Sequence, residues 1–170
     1  QLGIRRSVRL WVTSAPLGPL TFGWLSPTIV LPHTLVATRD RSLLQSLIGH
    51  ELVHVRRLDL LVGWFQVLIQ SLWWFHPLIW WANRRLAFER ERCCDAAVVT
   101  DLGLSPQTYA NSLVQVLELR LPWRGLTPLP GMRAFEINKR RLEHVLAIKP
   151  HAGSRWKFLP WLIAAGLAVM

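Results

Sequence analysis

The chain has 170 residues, enough for one domain with a sizeable hydrophobic core. Its mean hydropathy of +0.25 and its ten tryptophans are high for a soluble protein, and its only cysteines, Cys93 and Cys94, are adjacent, which excludes a disulfide framework and fits a reducing compartment. The net charge of +10 favours an anionic partner, either a membrane surface or a nucleic acid. Because Gln1 is not an initiator residue and the last residues are apolar, we expect the chain to be part of a longer protein.

The basic residues are concentrated towards the end of the chain. Between Met132 and Lys157 there are seven basic residues and two acidic ones, next to an apolar stretch from Trp156 to Met170. Positive charge beside an apolar segment is typical of the cytoplasmic side of a membrane. We therefore expect residues 156–170 to begin a transmembrane helix and the charge to face lipid. No groove-reading motif accompanies the charge, so we expect no direct contact with nucleic acid.

Three short strands are predicted in the first 32 residues. Apolar residues alternate with others from Ser7 to Thr13, and Leu20 to Trp24 and Thr28 to Leu31 are two further short runs bounded by prolines and glycines. This β segment is too small to be a domain by itself. We expect it to pack on the helices that follow.

Helices are predicted for the rest of the chain, because apolar residues recur every three or four positions from Asp40 onward. The predicted helices are Asp40–Arg57, Leu60–Phe75, Pro77–Thr100, Ser105–Arg120 and Arg133–Ile148, with a loop rich in proline and glycine at 122–131. The helix over 60–75 is short for a membrane span. It is compatible with a buried core helix, an interfacial helix, or a span that borrows flanking residues.

The motif H-E-x-x-H stands inside the first of these helices as His50, Glu51 and His54. A spacing of four residues returns both imidazoles to one helix face, so that both can bind one zinc ion. Glu51 is then placed to act as the general base. The alternative is a surface salt bridge between the histidines and Glu51, but the flanking residues are apolar and disfavour a solvated face.

A third ligand is predicted from the helix that begins at Pro77. Glu91 and Asp95 are four residues apart and share a face with apolar residues, where buried carboxylates need partners. Zinc for Glu91, and the free ring N–H of a ligating histidine for Asp95, would supply these partners. The alternative is a structural ion pair of both carboxylates with a buried arginine.

The other polar candidates are interpreted as structural. Vicinal Cys93 and Cys94 point apart on a helix and are interpreted as packing residues. His76, which precedes a proline, is interpreted as a cap or core residue. Tyr109 is interpreted as a core residue rather than a hydrogen-bond donor to an oxyanion, and Glu89 as a solvated ion-pair residue.

Four segments together resemble one family, the BlaR/MecR-type antirepressor metallopeptidases, which are membrane zinc peptidases of beta-lactam-sensing receptors and their relatives. The segments are Gly23–Pro32, Ile48–Asp59 with its H-E-x-x-H motif, Trp73–Trp80, and Glu91–Ala96. They occur in the family's order and cover nearly the whole chain. The joint pattern is more specific than H-E-x-x-H alone.

The resemblance implies a gluzincin-like arrangement with His50, His54 and Glu91 as ligands, Glu51 as the base, and Asp95 supporting a ligating histidine. It also implies a peptidase domain that faces the cytoplasm at the bacterial inner membrane. The strand near Leu20 would bind an extended substrate by edge pairing. No segment resembles a penicillin-binding sensor domain, so antibiotic sensing is not implied.

We therefore predict an α+β, mainly α, zincin-like domain over residues 1–150, in which a β segment, 1–32, precedes a helical core, 40–148. The predicted function is zinc-dependent hydrolysis of peptide bonds in a protein substrate, such as a transcriptional repressor. The cofactor is one Zn²⁺ ion, and the other partner is membrane lipid. Two alternatives remain: a non-catalytic membrane transducer with a structural zinc, and a basic module that binds nucleic acid or anionic lipid.

Overall fold

The computed structural model describes residues 2–4, 6–15, 17–120 and 131–148, and within these the side chains of 119–120 and 131–138 are not considered. Its strands are β1 (Arg9–Thr13), β2 (Leu20–Phe22) and β3 (Thr28–Pro32), and its helices are α1 (His33–Ala37), α2 (Arg41–Arg57), α3 (Asp59–Leu72), α4 (Pro77–Asp101), α5 (Pro106–Arg120) and α6 (Gly131–Ala147). The predicted α+β, mainly α class is confirmed. The predicted loop at 122–131 and the predicted transmembrane start at 156–170 lie outside the described residues, except that Gly131 begins α6.

The three strands form one sheet in the order β1-β3-β2. The central strand, β3, is buried along its whole length. It runs parallel to β1 and antiparallel to β2. Strand β2 is therefore an edge of the sheet, and it contacts α2. The predicted packing of the β segment on the helical core is confirmed.

Strand β2 ends two residues before the predicted end at Trp24. Gly23 has φ of 80°, and a Cβ there would lie 2.7 Å from the backbone oxygen of Ser26. Only glycine adopts this turn without strain. Helix α1 was not predicted, because one short turn has too few apolar positions to show a helical period; it is anchored by the buried Leu35.

The helical core lies where α2, α4, α5 and α6 meet. Its buried residues are Val53, Cys94, Ala97, Val98, Val99, Tyr109, Ala110 and Val145. Asp40 caps the start of α2 by accepting hydrogen bonds from the backbone N–H groups of Ser42 and Leu43. His76 caps α4 in the same way through Leu78, with Pro77 in the first turn, as the sequence predicts. The two helices that carry the H-E-x-x-H motif and Glu91 are thus fixed at their starts and packed together.

Helix α3 is not a buried core helix, since Asp59 is its only buried residue. Helix α3, the start of α4 and the turn between them expose a set of aromatic side chains, which we call the aromatic hairpin: Trp64, Phe65, Trp73, Trp74, Phe75, Trp80 and Trp81. Within the described parts of the chain, none of the helices combines the length and the apolar character that crossing a bilayer requires.

Candidate active site

The two histidines of the motif face each other on one side of α2. Their Nε2 atoms are 3.1 Å apart, and their ring planes are nearly perpendicular. Both side chains are largely buried, with 12% and 15% of their surface exposed for His50 and His54. The predicted return of both imidazoles to one face of a helix is therefore confirmed.

Glu91 reaches this pair from α4. One carboxylate oxygen lies 3.5 Å from Nε2 of His50, and the other lies 3.7 Å from Nε2 of His54. Burial raises the pKa of Glu91, but its contact with the His50 imidazole and the charge of Arg141 outweigh burial and lower it to about 2. Glu91 therefore presents a charged carboxylate to the two ring nitrogens.

His50 is oriented by a chain of hydrogen bonds through Tyr109. The Tyr109 hydroxyl donates to Oδ1 of Asp95 at 2.7 Å and lies 2.8 Å from Nδ1 of His50. Because the hydroxyl proton goes to the carboxylate, Nδ1 of His50 must be the donor to the hydroxyl oxygen. The lone pair of Nε2 is then left facing Glu91. Asp95 also lies 3.4 Å from Nδ1 of His50, so the expected support from Asp95 runs mainly through Tyr109.

Asp95 is itself held by Arg141 of α6. The guanidinium donates to both carboxylate oxygens of Asp95, at 2.9 and 2.7 Å, and a third nitrogen lies 3.1 Å from Glu91. Asp95 is fully buried, and burial without such a partner would be costly. Arg141 belongs to the basic cluster that the sequence assigns to lipid. That assignment is wrong for Arg141, because its guanidinium contacts Asp95 and Glu91 in the interior of the protein.

The arginine pair considered as an alternative for Glu91 and Asp95 is therefore present, together with the approach of Glu91 to both histidines. The two arrangements are compatible, since Arg141 contacts Oε2 of Glu91 while Oε1 is directed at His54. For Asp95 the arginine is the main partner.

His54 is oriented by Asp59, at the start of α3. Oδ2 of Asp59 lies 2.8 Å from Nδ1 of His54, and a carboxylate can only accept there, so Nδ1 carries the proton. Burial lowers the pKa of His54, but this hydrogen bond and the charges of Glu91 and Glu51 raise it overall. Both histidines of the motif thus share one tautomer, with Nε2 as the free acceptor.

These contacts fit a divalent cation. Two Nε2 lone pairs and a carboxylate converge within a few ångströms, and such acceptors repel one another unless a cation lies between them. Ligands about 2.0–2.1 Å from a tetrahedral zinc ion are about 3.3 Å apart, close to the 3.1 to 3.7 Å observed here. Two imidazoles and one carboxylate, with a fourth position left over, match the donor set of catalytic zinc sites.

A second group of potential ligands, His54, Asp59 and Cys94, fits a metal less well. Burial, and then the charge of Asp59, raise the pKa of the Cys94 thiol, so the thiol stays protonated. Its Sγ donates to Oδ2 of Asp59 at 3.4 Å. Cys94 is buried in the core, as predicted for a packing residue, whereas Cys93 is exposed.

Glu51 is buried beside the histidines and is held by the sheet. Thr21 of β2 donates its hydroxyl proton to Oε2 of Glu51 at 2.6 Å. Glu51 has only 8% of its surface exposed, and it lines the same cavity as both histidines and Glu91. Because the Thr21 hydroxyl is bonded to Oε2, the other carboxylate oxygen of Glu51, Oε1, can accept a proton from another group.

The site opens into a cavity of about 850 Å³. Leu20 and Thr21 of the edge strand, together with the preceding Pro19, line one part of it, and residues of α2, α3, α4, α5 and α6 line the rest. Clefts of this size are typical of ligand-binding sites. The cavity is lined both by the site residues and by Leu20 and Thr21 of the edge strand β2.

Sequence reasoning missed four residues of this site: Thr21, Asp59, Tyr109 and Arg141. Asp59 carried the clearest signal, since it lies five residues after His54 in the segment that resembles the family. Tyr109 was noticed and interpreted as a core residue; it is fully buried, and it also contacts His50. Thr21 and Arg141 carried no local signal.

The chain is similar in sequence to one known protein family and to curated members of it. The family model described as BlaR1 peptidase M56 matches residues 1–144. The regulatory protein BlaR1 of Bacillus licheniformis is 33% identical over 101 residues, which are 58% of this chain and 17% of that protein. The methicillin resistance mecR1 protein of Staphylococcus aureus is 31% identical over 129 residues, which are 75% of this chain and 22% of that protein. No solved structure matches the chain significantly.

The chain thus spans about a fifth of the length of these curated relatives. The matched region, 1–144, contains the H-E-x-x-H motif, Glu91, Asp95 and all four residues that sequence reasoning missed. The resemblance read from the sequence is confirmed. The chain belongs to the BlaR1 peptidase M56 family.

Proposed function

We propose that this chain is the catalytic domain of a membrane-bound, zinc-dependent endopeptidase that hydrolyses peptide bonds in a protein substrate. His50, His54 and Glu91 hold one zinc ion, and Glu51 is the general base. The observation that carries the proposal is the convergence of three metal-ligand atoms from α2 and α4 beside a buried carboxylate. This is the ligand arrangement of the zincin-like, gluzincin class, and the domain is proposed to extend over residues 1–150.

Each residue of the site has a separate role in the proposed hydrolysis. A zinc ion held by these three side chains supplies Lewis acidity towards a carbonyl group and water. Glu51 takes a proton from the attacking water through Oε1, because Thr21 occupies Oε2, and then delivers that proton to the leaving amine. Asp59 and the pair Tyr109–Asp95 keep the histidine rings in the tautomer that binds metal.

The edge strand offers the means to hold an extended substrate. Pro19, Leu20 and Thr21 line the cavity next to Glu51, and β2 pairs with β3 on one side only. A substrate strand that adds to the other side would receive main-chain hydrogen bonds and pass directly beside the base. Such binding favours a flexible segment of a protein, and a transcriptional repressor is a substrate of this kind.

Membrane lipid is proposed as the second partner, and the aromatic hairpin is proposed as the surface that contacts it. Each of its seven side chains is exposed, and Trp74 and Trp81 are 68% and 67% exposed. Tryptophans favour the boundary between hydrocarbon and water. Arg84 and Arg85 follow in α4 and are exposed, so they can contact anionic headgroups while the hairpin enters the bilayer surface.

Within this proposal the chemistry faces the cytoplasm at the bacterial inner membrane, and residues 156–170 begin a transmembrane helix. The basic residues between 132 and 157 support this orientation, apart from the buried Arg141.

The decisive test of the enzymatic proposal is Glu51→Gln. The zinc-loaded protein and the variant are compared for bound zinc and for cleavage of an unstructured protein such as casein, with Glu143→Gln on the exposed face of α6 as the control. We expect the Glu51 variant to keep its zinc and lose cleavage by at least about 100-fold, while the control retains both. Equal cleavage by the Glu51 variant would leave the zinc a structural role only.

A further inference from the structure

Among the described residues, two arginines line the cavity beside the metal site, and they differ in their partners. Arg141 of α6 is held by the carboxylates of Asp95 and Glu91. Arg90 of α4 is half-buried, and its Nη1 donates to a neutral group, Oε1 of Gln66, at 3.2 Å. Within the part of the chain that the structure describes, no carboxylate forms an ion pair with Arg90.

The carboxylates that line the same cavity are directed at other groups. Each of the three contacts a residue of the metal site or a residue that supports it: Glu51, Asp59 and Glu91. A divalent ion at the site would also offset part of their negative charge. Arg90 therefore brings to the cavity a positive charge that no described carboxylate neutralises. A half-buried charge without a counterion is unfavourable, so an anionic group on a ligand would be stabilised there.

The guanidinium of Arg90 is suited to a carboxylate in particular. An arginine side chain carries several N–H donors in a planar fork, which matches the two oxygens of a carboxylate. Gln66 accepts from Nη1, and among the described residues Nη2 and Nε have no acceptor. Because the contact with Gln66 of α3 already orients the side chain, less conformational entropy is lost when a ligand binds.

Arg90 lies close to the bond that the site would cleave. It precedes Glu91 on α4, and both residues line the cavity. Consecutive residues of a helix point about 100° apart, so Glu91 is directed at α2 while Arg90 is directed at α3. A peptide in the cavity would then present its scissile bond to the metal and a nearby side chain to Arg90. Since an extended chain advances about 3.3 Å per residue, that side chain belongs to a residue within about three positions of the bond.

We propose that the substrate carries an aspartate or glutamate within about three residues of the scissile bond, and that Arg90 recognises its carboxylate. This inference rests on the proposed peptidase function and names a substrate class for that site. The other role open to Arg90 is a structural tie between α4 and α3 through Gln66. A structural tie predicts no dependence of cleavage on the charge of the substrate.

The test uses peptides with blocked ends that differ at one position only. That position carries glutamate, glutamine or lysine, and it is moved through the three positions on each side of the cleaved bond. We expect the wild type to cleave the best glutamate peptide about 10-fold better, in kcat/KM, than its glutamine counterpart, and the lysine peptide least well. A glutamine peptide with a free carboxyl terminus is included. A gain confined to that peptide would overturn the assignment to a side chain.

Variants separate recognition from a structural role. Arg90→Gln should lower the ratio of glutamate to glutamine cleavage to about 1, and Arg90→Lys should retain part of it, because the charge stays while the fork is lost. Gln66→Ala removes the tie to α3 but keeps the guanidinium, so most of the ratio should remain. Arg9→Gln, at an exposed position of β1, removes one positive charge outside the cavity and should keep the full ratio. Equal loss of the ratio in Arg90→Gln and Gln66→Ala would overturn the inference.

Binding of the same peptides to the Glu51→Gln variant provides a readout that does not depend on cleavage. The glutamate peptide should bind about 10-fold more tightly than the glutamine peptide, and the double variant with Arg90→Gln should bind both equally. Zinc-dependent cleavage without a preference for an acidic residue at any position would overturn the inference and leave the peptidase proposal intact. Absence of cleavage, together with an acidic preference in binding that Arg90→Gln removes, would overturn the peptidase proposal while supporting recognition by Arg90.

Discussion

Oδ2 of Asp59 lies 2.8 Å from Nδ1 of His54, and a single residue in an unusual conformation makes this contact possible. Leu58 stands between α2 and α3 with φ of 59° and ψ of 32°, in the left-handed region that is rare for leucine. The turn directs the first residue of α3 back against the last turn of α2. The partner that orients one histidine of the motif is therefore provided by the helix junction itself.

Replacement of Asp59 by asparagine should weaken metal binding. The variant loses the carboxylate that fixes the tautomer of His54, so we expect the zinc affinity to fall about 10- to 100-fold. Competition with a chelator measures this affinity. Asp101→Asn, which removes a carboxylate paired with Arg56 away from the site, is the matched control and should bind zinc like the wild type. Equal affinities in both variants would contradict the role given to Asp59.

Thr21 should affect turnover without affecting the metal. Thr21→Val keeps the shape of the side chain but removes the hydroxyl that donates to Glu51. A hydrogen bond to a charged group contributes about 1.5–3 kcal/mol, so we expect kcat/KM to fall at least about 10-fold while zinc content stays unchanged. Thr21→Ser restores the donor and should recover most of the activity. A serine variant as impaired as the valine variant would show that Thr21 acts through packing instead.

Arg141 should be important for stability. In Arg141→Ala the fully buried carboxylate of Asp95 loses both of its charged hydrogen bonds, and the free energy of unfolding should fall by about 3–5 kcal/mol. Denaturant titration of the metal-free protein measures the change. Lys139→Ala, on the exposed part of the same helix, removes an ion pair with Glu143 and should cost less than about 1 kcal/mol. Similar losses in both variants would contradict the burial of the Arg141 pair.

These contacts show how far the sequence predicted the site. His50, Glu51 and His54 lie on one turn of one helix, so their mutual arrangement follows from helical geometry alone. Glu91 was predicted because a carboxylate on an apolar face requires a partner. For Asp95 the sequence offered a buried arginine as an alternative partner but could not identify it, since Arg141 is 46 residues away and the helix that carries it is strongly basic overall. Which basic residue turns inward is decided only by the packing of α6 on α4 and α5.

The fold was predicted to a similar extent. Helix starts were accurate where a cap and a proline occur together, as at His76 and Pro77. The role of 60–75 was left open by its length and is restricted by the structure, because exposed Trp64 and Phe65 exclude a buried core helix. Strand order could not be predicted, since the parallel pairing of β1 with β3 depends on contacts between segments that are distant in sequence.

The aromatic hairpin should bind lipid. We expect the protein to bind vesicles of phosphatidylethanolamine and phosphatidylglycerol, and the double variant Trp74→Ser, Trp81→Ser to bind at least about 10-fold more weakly, because two large apolar side chains no longer enter the bilayer surface. Vesicle sedimentation measures this binding. Leu146→Ser, at an exposed apolar position of α6, is the control and should bind normally. Equal loss in both variants would show that the hairpin is not the contact surface.

The zinc content of the Glu91→Ala variant tests the central claim most directly. Glu89→Ala is the matched control, since Glu89 lies two residues away on the same helix and pairs with Arg85 and Arg92 at the surface. We expect about one zinc ion per chain in the wild type and in the Glu89 variant, and a large loss of bound zinc in the Glu91 variant. Full zinc occupancy in Glu91→Ala, or none in the wild type after zinc loading, would contradict a site built from His50, His54 and Glu91.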